Sequence, residues 1–134
     1  MKGTRKGFTL IELMVVILIV GILAAAAIPL MRGRINSAKW AEANSTAGTI
    51  KSAMRVYFAE TGLTTLTGLM DVVATQDALG FTPADLEGTY FTDGDYNIDS
   101  VNDDGVAVIT VTASKLNAPP AGDTKTLDTD GTWD

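Results

Sequence analysis

The sequence predicts an α+β protein, in which one long N-terminal α-helix, apolar in its membrane half and amphipathic in its second half, packs on a small antiparallel β-sheet head. Three patterns carry that expectation. Leu13 to Met31 are nineteen consecutive residues without a formal charge. Ala43, Ala47, Ile50, Met54 and Tyr57 then recur at spacings of four, three, four and three, the stripe of a helix with one buried face. From Gly88 onward short β-prone runs alternate with turn signals.

The uncharged run comes first. As a helix at 1.5 Å per residue, nineteen residues reach roughly 28 Å, close to the hydrocarbon thickness of a bilayer. Such a segment belongs in lipid or in an equally dry protein environment. Lys2, Arg5 and Lys6 flank it on the short leading side, which the positive-inside rule places in the cytoplasm. A secretory signal peptide, with Ala24 to Ala27 as its small-residue cleavage region, is the alternative reading. Glu12 argues against it, because a carboxylate near the bilayer centre costs roughly 2.5–3.5 kcal/mol and calls for a partner. Glu12 also closes a Thr9-Leu10-Ile11-Glu12 capping box, in which it would bond back to the Thr9 amide and simply start the helix.

Lys6-Gly7-Phe8-Thr9-Leu10-Ile11-Glu12-Leu13, followed by the uncharged run and Pro29, closely resembles the N-terminus of type IV pilins and the related type II secretion pseudopilins. The resemblance covers about residues 2–60. It implies a prepilin leader, residues 1–7, cut after Gly7 by a prepilin peptidase, with Phe8 as the new, N-methylated terminus. It also implies that Glu12 pairs with the Phe8 amine of a neighbouring subunit and sets axial register. The chemistry is compatible, since a methylated α-amine stays cationic and a buried amine and carboxylate neutralise one another. Removing one member of such a pair costs roughly 3–5 kcal/mol.

On this reading residues 8–31 form the transmembrane and filament-core helix, and residues 32–61 the amphipathic helix. Pro29 lacks a backbone donor and crowds the carbonyl four residues back, so a kink or a local loss of helix is expected between Gly21 and Pro29. Related filaments resemble this in unwinding the same stretch. Gly62 is the expected helix stop, giving a helix over 8–61 of roughly 80 Å.

Residues 62–134 read as a globular head with a connecting loop and an antiparallel sheet. A short helix is expected within Leu69 to Leu79, ahead of Gly80 and Thr82-Pro83. Strands are expected at Thr89-Tyr90-Phe91, at Tyr96-Asn97-Ile98 and from Val106 to Thr112. Asn102-Asp103-Asp104-Gly105 is a turn, and Asp130-Gly131 joins Thr126-Leu127 to Thr132-Trp133 in a hairpin. So small a head needs the helix as part of its core, through Ile50, Met54, Tyr57 and Phe58. Many type IV pilins have a disulfide-bounded loop near the C-terminus. This chain has no cysteine, which leaves open what secures residues 119–134.

Composition narrows the chemistry. The chain carries no Cys and no His, which removes thiolate chemistry, Cys-based metal sites and the commonest general base. Net charge is −6, unevenly spread: residues 56–134 hold two basic and fourteen acidic side chains, against five basic and two acidic in residues 8–55. An acidic outer half argues against direct nucleic acid binding. The same asymmetry predicts attraction between subunits, with Arg32, Arg34 and Lys39 near acidic residues of neighbours. Asp93, Asp95, Asn97 and Asp99 are spaced like the start of a calcium loop. Ile98 stands where an EF-hand needs glycine, so they do not make an EF-hand. Some pseudopilins hold calcium in the head, and an irregular calcium site at these four residues is a weak candidate; no other cofactor is expected.

The reading is therefore a non-enzymatic structural subunit, held in the inner membrane and assembled with copies of itself into a helical pilus-like filament by a pilus assembly machinery. Its final location is an extracellular pilus. The first alternative is a pseudopilin forming a short periplasmic piston, and the second a secreted acidic binding module with a discarded signal.

Overall fold

The structure, a computed structural model, describes residues 7–134. The chain divides into two compact units, one ending at Ile35 and the other spanning Asn36–Asp134. Helix α1 runs from Leu10 to Thr61. It ends where the sequence places its stop: Gly62 takes a left-handed φ of 68° and its amide donates to the Phe58 carbonyl at 2.8 Å. That conformation costs glycine nothing sterically.

In the first unit α1 continues through Gly21 and Pro29, so the local loss of helix expected there is not present in the single chain. One proline removes only one donor, and the alanines at 24–27 are the strongest helix formers. Every large apolar side chain from Leu10 to Met31 is exposed.

In the second unit α1 backs a four-stranded antiparallel sheet of order β1-β2-β3-β4. The strands are β1, Gly68–Leu69; β2, Tyr96–Val101; β3, Ala107–Thr112; and β4, Thr124–Leu127. Between β1 and β2 lie α2, Val73–Leu79, α3, Pro83–Leu86, and a 3-10 turn at Asp93–Asp95. Alternation in β3 is as read: Ala107, Ile109 and Val111 are buried, while Val108 and Thr110 are half-buried and Thr112 is exposed. The Asn102–Gly105 turn is also present. Asn102 Oδ1 accepts from the amides of Asp104 and Val106, and Gly105 takes φ +73°.

Ala43, Ala47, Ile50 and Met54 are fully buried against Met70, Phe91, Tyr96, Ile98, Ile109 and Val111. Alanine at 43 and 47 leaves no side chain to hold the sheet away from the helix. Burial of each large apolar residue contributes about 1.5–3 kcal/mol. Trp40, not singled out by the stripe, extends this core by ring contacts to Phe91 at 5.2 Å and Trp133 at 6.0 Å. Tyr57 and Phe58 are only half-buried, at the edge of the core.

Three local expectations differ from the structure. Thr89-Tyr90-Phe91 is not a strand, because Glu42 of α1 takes the Tyr90 and Phe91 amides at 2.8 and 3.2 Å, leaving them nothing to offer a ladder. Leu69 belongs to β1, and the helix begins only at Val73. Pro83–Leu86 forms a helix turn that the Thr82-Pro83 punctuation hid. Its Thr82–Asp85 capping box and N-terminal proline are ordinary helix-start signals. The Asp130-Gly131 hairpin forms as expected, through a Leu127–Trp133 bridge and an Asp128 amide to Thr132 carbonyl bond of 2.9 Å.

Two predictions follow from this packing. A Cβ at Gly105 would overlap the Phe58 ring on a backbone of positive φ, so Gly105→Ala should lower stability by about 2 kcal/mol or more, measured by thermal unfolding of the full chain in detergent. The Tyr96 hydroxyl is enclosed near Thr46 without reaching hydrogen-bond geometry, and burial pushes its ionisation from the ordinary 10.0 up to about 12. The folded chain then keeps a proton that the unfolded chain releases. Stability should fall as pH rises from about 10 to about 12, by on the order of 2 kcal/mol, and Tyr96→Phe should lack that share of the alkaline loss.

Candidate functional site

The N-terminal constellation occupies the first unit. Phe8 is 85% exposed, two residues ahead of α1, and Gly7 precedes it. The remainder of the expected leader, residues 1–6 with Lys2, Arg5 and Lys6, lies outside the described residues. Thr9 and Glu12 form a reciprocal cap. The Thr9 amide and hydroxyl each donate to Glu12 Oε2 at 2.8 Å, and the Glu12 amide donates to Thr9 Oγ1 at 3.3 Å. In the single chain Glu12 therefore starts the helix, as the capping-box alternative has it. The residue is nevertheless exposed, and both bonds that the carboxylate accepts from Thr9 fall on one of its two oxygens.

Around Glu12 the surface is apolar. Ile11, Leu13, Met14, Val15 and Val16 are all about half exposed or more, and so is each large apolar residue on to Met31. By length and composition α1 is able to cross a membrane, and none of its most apolar stretch is buried within the chain. So large an apolar surface requires lipid or another protein around it.

The calcium candidates are separately engaged. Asp93 Oδ2 accepts from Gln76 Nε2 at 3.1 Å, and Asp95 Oδ2 accepts the Thr92 amide at 2.7 Å. Asn97 Nδ2 donates to Asp99, whose other oxygen accepts from the Thr110 hydroxyl at 2.6 Å. A bulge between Ile98 and Ser100 gives β2 one extra residue there, which bends the strand at Asp99. Only Asn97 and Asp99 are brought together. Among the described residues no group of three or more Asp and Glu side chains is arranged to hold a metal ion.

Three lysines close the head, of which Lys51 and Lys115 were not singled out in the sequence. Lys51 is 7% exposed, and its ammonium donates to the Asp128 carbonyl and, at 3.2 Å, to that of Thr129. Burial lowers its pKa from the ordinary lysine value and Arg55 adds to this, while Asp130 and Asp128 oppose it. Lys39 donates to the Ala118 carbonyl at 3.2 Å and sits 5.3 Å from the Tyr90 ring centre. One of its donors is thus used within its own head. Lys115 ties Glu87 and the Gly88 carbonyl together, both at 2.7 Å. These contacts secure residues 115–134 without a disulfide. The signal for Lys51 was present: it lies four residues after Ala47 and three before Met54, on the buried stripe.

The comparisons with known proteins agree with the N-terminal constellation. A sequence family described as the prokaryotic N-terminal methylation motif matches residues 2–28. The chain is 44% identical over 63 residues to the fimbrial protein EcpC of Eikenella corrodens, covering 47% of this chain and 41% of that one. It is 39% identical over 92 residues to a fimbrial protein of Dichelobacter nodosus, covering 67% and 58%. It is 35% identical over 117 residues to the type IV major pilin protein PilE1 of Neisseria gonorrhoeae, covering 87% and 64%. The chain thus spans between about two-fifths and two-thirds of the length of these curated relatives. The motif and the uncovered apolar helix define the class, an N-methylation-motif protein with a membrane-compatible anchor. Within that class, the chain is similar to type IV pilins and fimbrial proteins.

Replacing Lys51 tests the closure of the head. Lys51→Met should cost about 1–3 kcal/mol by leaving two carbonyls without their donor. It should also speed proteolytic cleavage within residues 119–134, read by mass spectrometry of the digested full chain.

Proposed function

We propose that this chain is a structural subunit of a type IV pilus-like helical filament, held by its apolar helix in the inner membrane and drawn from there into a polymer of its own copies. One observation carries the reading: an apolar helical surface that its own chain leaves uncovered, with Glu12 as its one embedded charge. Lipid satisfies the apolar part, but the carboxylate is costly there. A bundle of identical helices satisfies both, because each copy brings a cationic terminal amine at Phe8 to offset a neighbour's Glu12. The relatives named as major pilin and fimbrial proteins favour this over the pseudopilin reading.

Processing on this reading cuts after Gly7 and methylates Phe8. Exposure of both residues ahead of the helix is compatible with access by a peptidase. The capping bonds of Glu12 do not compete with the pairing, since a carboxylate accepts from several donors at once. A neighbour's amine adds charge neutralisation to an oxygen already oriented by Thr9. The value of such a pair is register, because a buried pair contributes little net stability while its disruption is costly. No catalytic role is proposed for any residue.

Glu12→Val is the decisive variant. The subunit should be inserted and processed at ordinary levels, with methyl-Phe8 found by mass spectrometry. Filaments sheared from cells should fall more than tenfold. Ordinary filament yield from Glu12→Val would refute the role given to this residue, and a wild-type chain beginning well past Glu12 would refute the filament reading itself.

A further inference from the structure

The second unit carries a groove of about 360 Å³ between the last turns of α1 and the end of α2. Its floor is apolar, from Val56, Tyr57 and Leu79, and its rim is acidic, from Glu60 and Asp77. Val56 is 58% exposed, so the floor is uncovered within the chain. The first unit presents the opposite chemistry. Ile28, Met31, Arg32 and Ile35 follow the spacing i, i+3, i+4, i+7 and so share one helical face. Its three apolar members are 53%, 63% and 47% exposed, and Arg32 is exposed among them. Among the described residues, Arg32, Glu60 and Asp77 take part in no ion pair.

We propose that this groove is the seat for the Ile28–Ile35 face of a second copy of the chain, with Arg32 set between Glu60 and Asp77. The proposal rests on the filament reading and names a contact for it outside the apolar helix bundle. Charge complementarity selects the occupant: the groove offers two carboxylates around an apolar floor, and this face offers one guanidinium among three aliphatic side chains. Arginine suits the position, because its fork of donors reaches two carboxylates at once and its weakly hydrated plane packs on apolar surface. The two surfaces are different patches of one chain, so the contact is heterologous. A contact of that kind does not close into a two-fold dimer; it propagates from copy to copy. Arg34, two residues beyond Arg32, falls on the opposite side of the helix and takes no part.

The test reverses the charges in the full-length chain and measures filaments sheared from cells, with membrane levels of each subunit checked by immunoblot. Arg32→Glu should reduce filament yield at least fivefold, as should Glu60→Lys combined with Asp77→Lys. All three changes together should restore yield to within twofold of wild type. Arg34→Glu should lose less yield than Arg32→Glu, and Glu60→Lys combined with Asp77→Lys should not restore it. The absence of cysteine allows a direct check: filaments of a variant carrying both Ile35→Cys and Val56→Cys should give a ladder of linked subunits on mild oxidation. Full yield from Arg32→Glu, equal losses from Arg32→Glu and Arg34→Glu, or ordinary filaments without a ladder would each overturn the groove contact while leaving the filament reading intact. A wild-type chain that forms no filaments would instead overturn that reading.

Discussion

Everything in the head depends on the burial of one face of α1, from Trp40 to Met54. Ala43, Ala47, Ile50 and Met54 are removed entirely from water by the sheet, and the sheet has no other layer to cover its inner side. The helix therefore supplies half of a core that residues 62–134 are too few to build alone. It also supplies the polar closure. Glu42 takes two loop amides, and Lys39 and Lys51 take loop carbonyls, so backbone groups that no strand satisfies are satisfied from the helix.

The same helix obeys the reverse rule before Ile35. There its large apolar side chains are outside, and nothing in their own unit covers them. One continuous element thus serves two solvents: the second unit is complete in water, whereas the first is complete only in lipid or among other helices. A single carboxylate in that first unit is tolerable as a capped, exposed group in the isolated chain. In the proposed bundle it becomes tolerable through a second charge. Glu12 therefore has a local use in the single chain, compatible with the proposed use between copies.

Elements built on strong periodicity were legible in the sequence. The α1 stripe, the stop at Gly62, the alternation of β3 and the Asn102–Gly105 turn each follow from residues adjacent in the chain. The Thr9–Glu12 cap was legible for the same reason, since its two residues lie three positions apart. What escaped depended on distant partners. Tyr90 and Phe91 have strand propensity, yet Glu42, nearly fifty positions away, takes their amides. β1 is two residues long and exists only because β2 lies beside it, pairing Gly68 with Ile98. Lys51 falls on the buried stripe, but lysine is seldom buried, and its partners are two main-chain carbonyls, which carry no sequence signature.

The ammonium of Lys51 performs, for the end of this chain, a task that a covalent sulfur bridge could otherwise perform. The difference is kinetic as well as chemical. A bridge needs an oxidant to form and a reductant to break, and it rearranges over minutes to hours without a catalyst. A lysine gripping two carbonyls locks and releases at the pace of side-chain and loop motion. The closure of the C-terminal hairpin is therefore independent of the redox state of its surroundings.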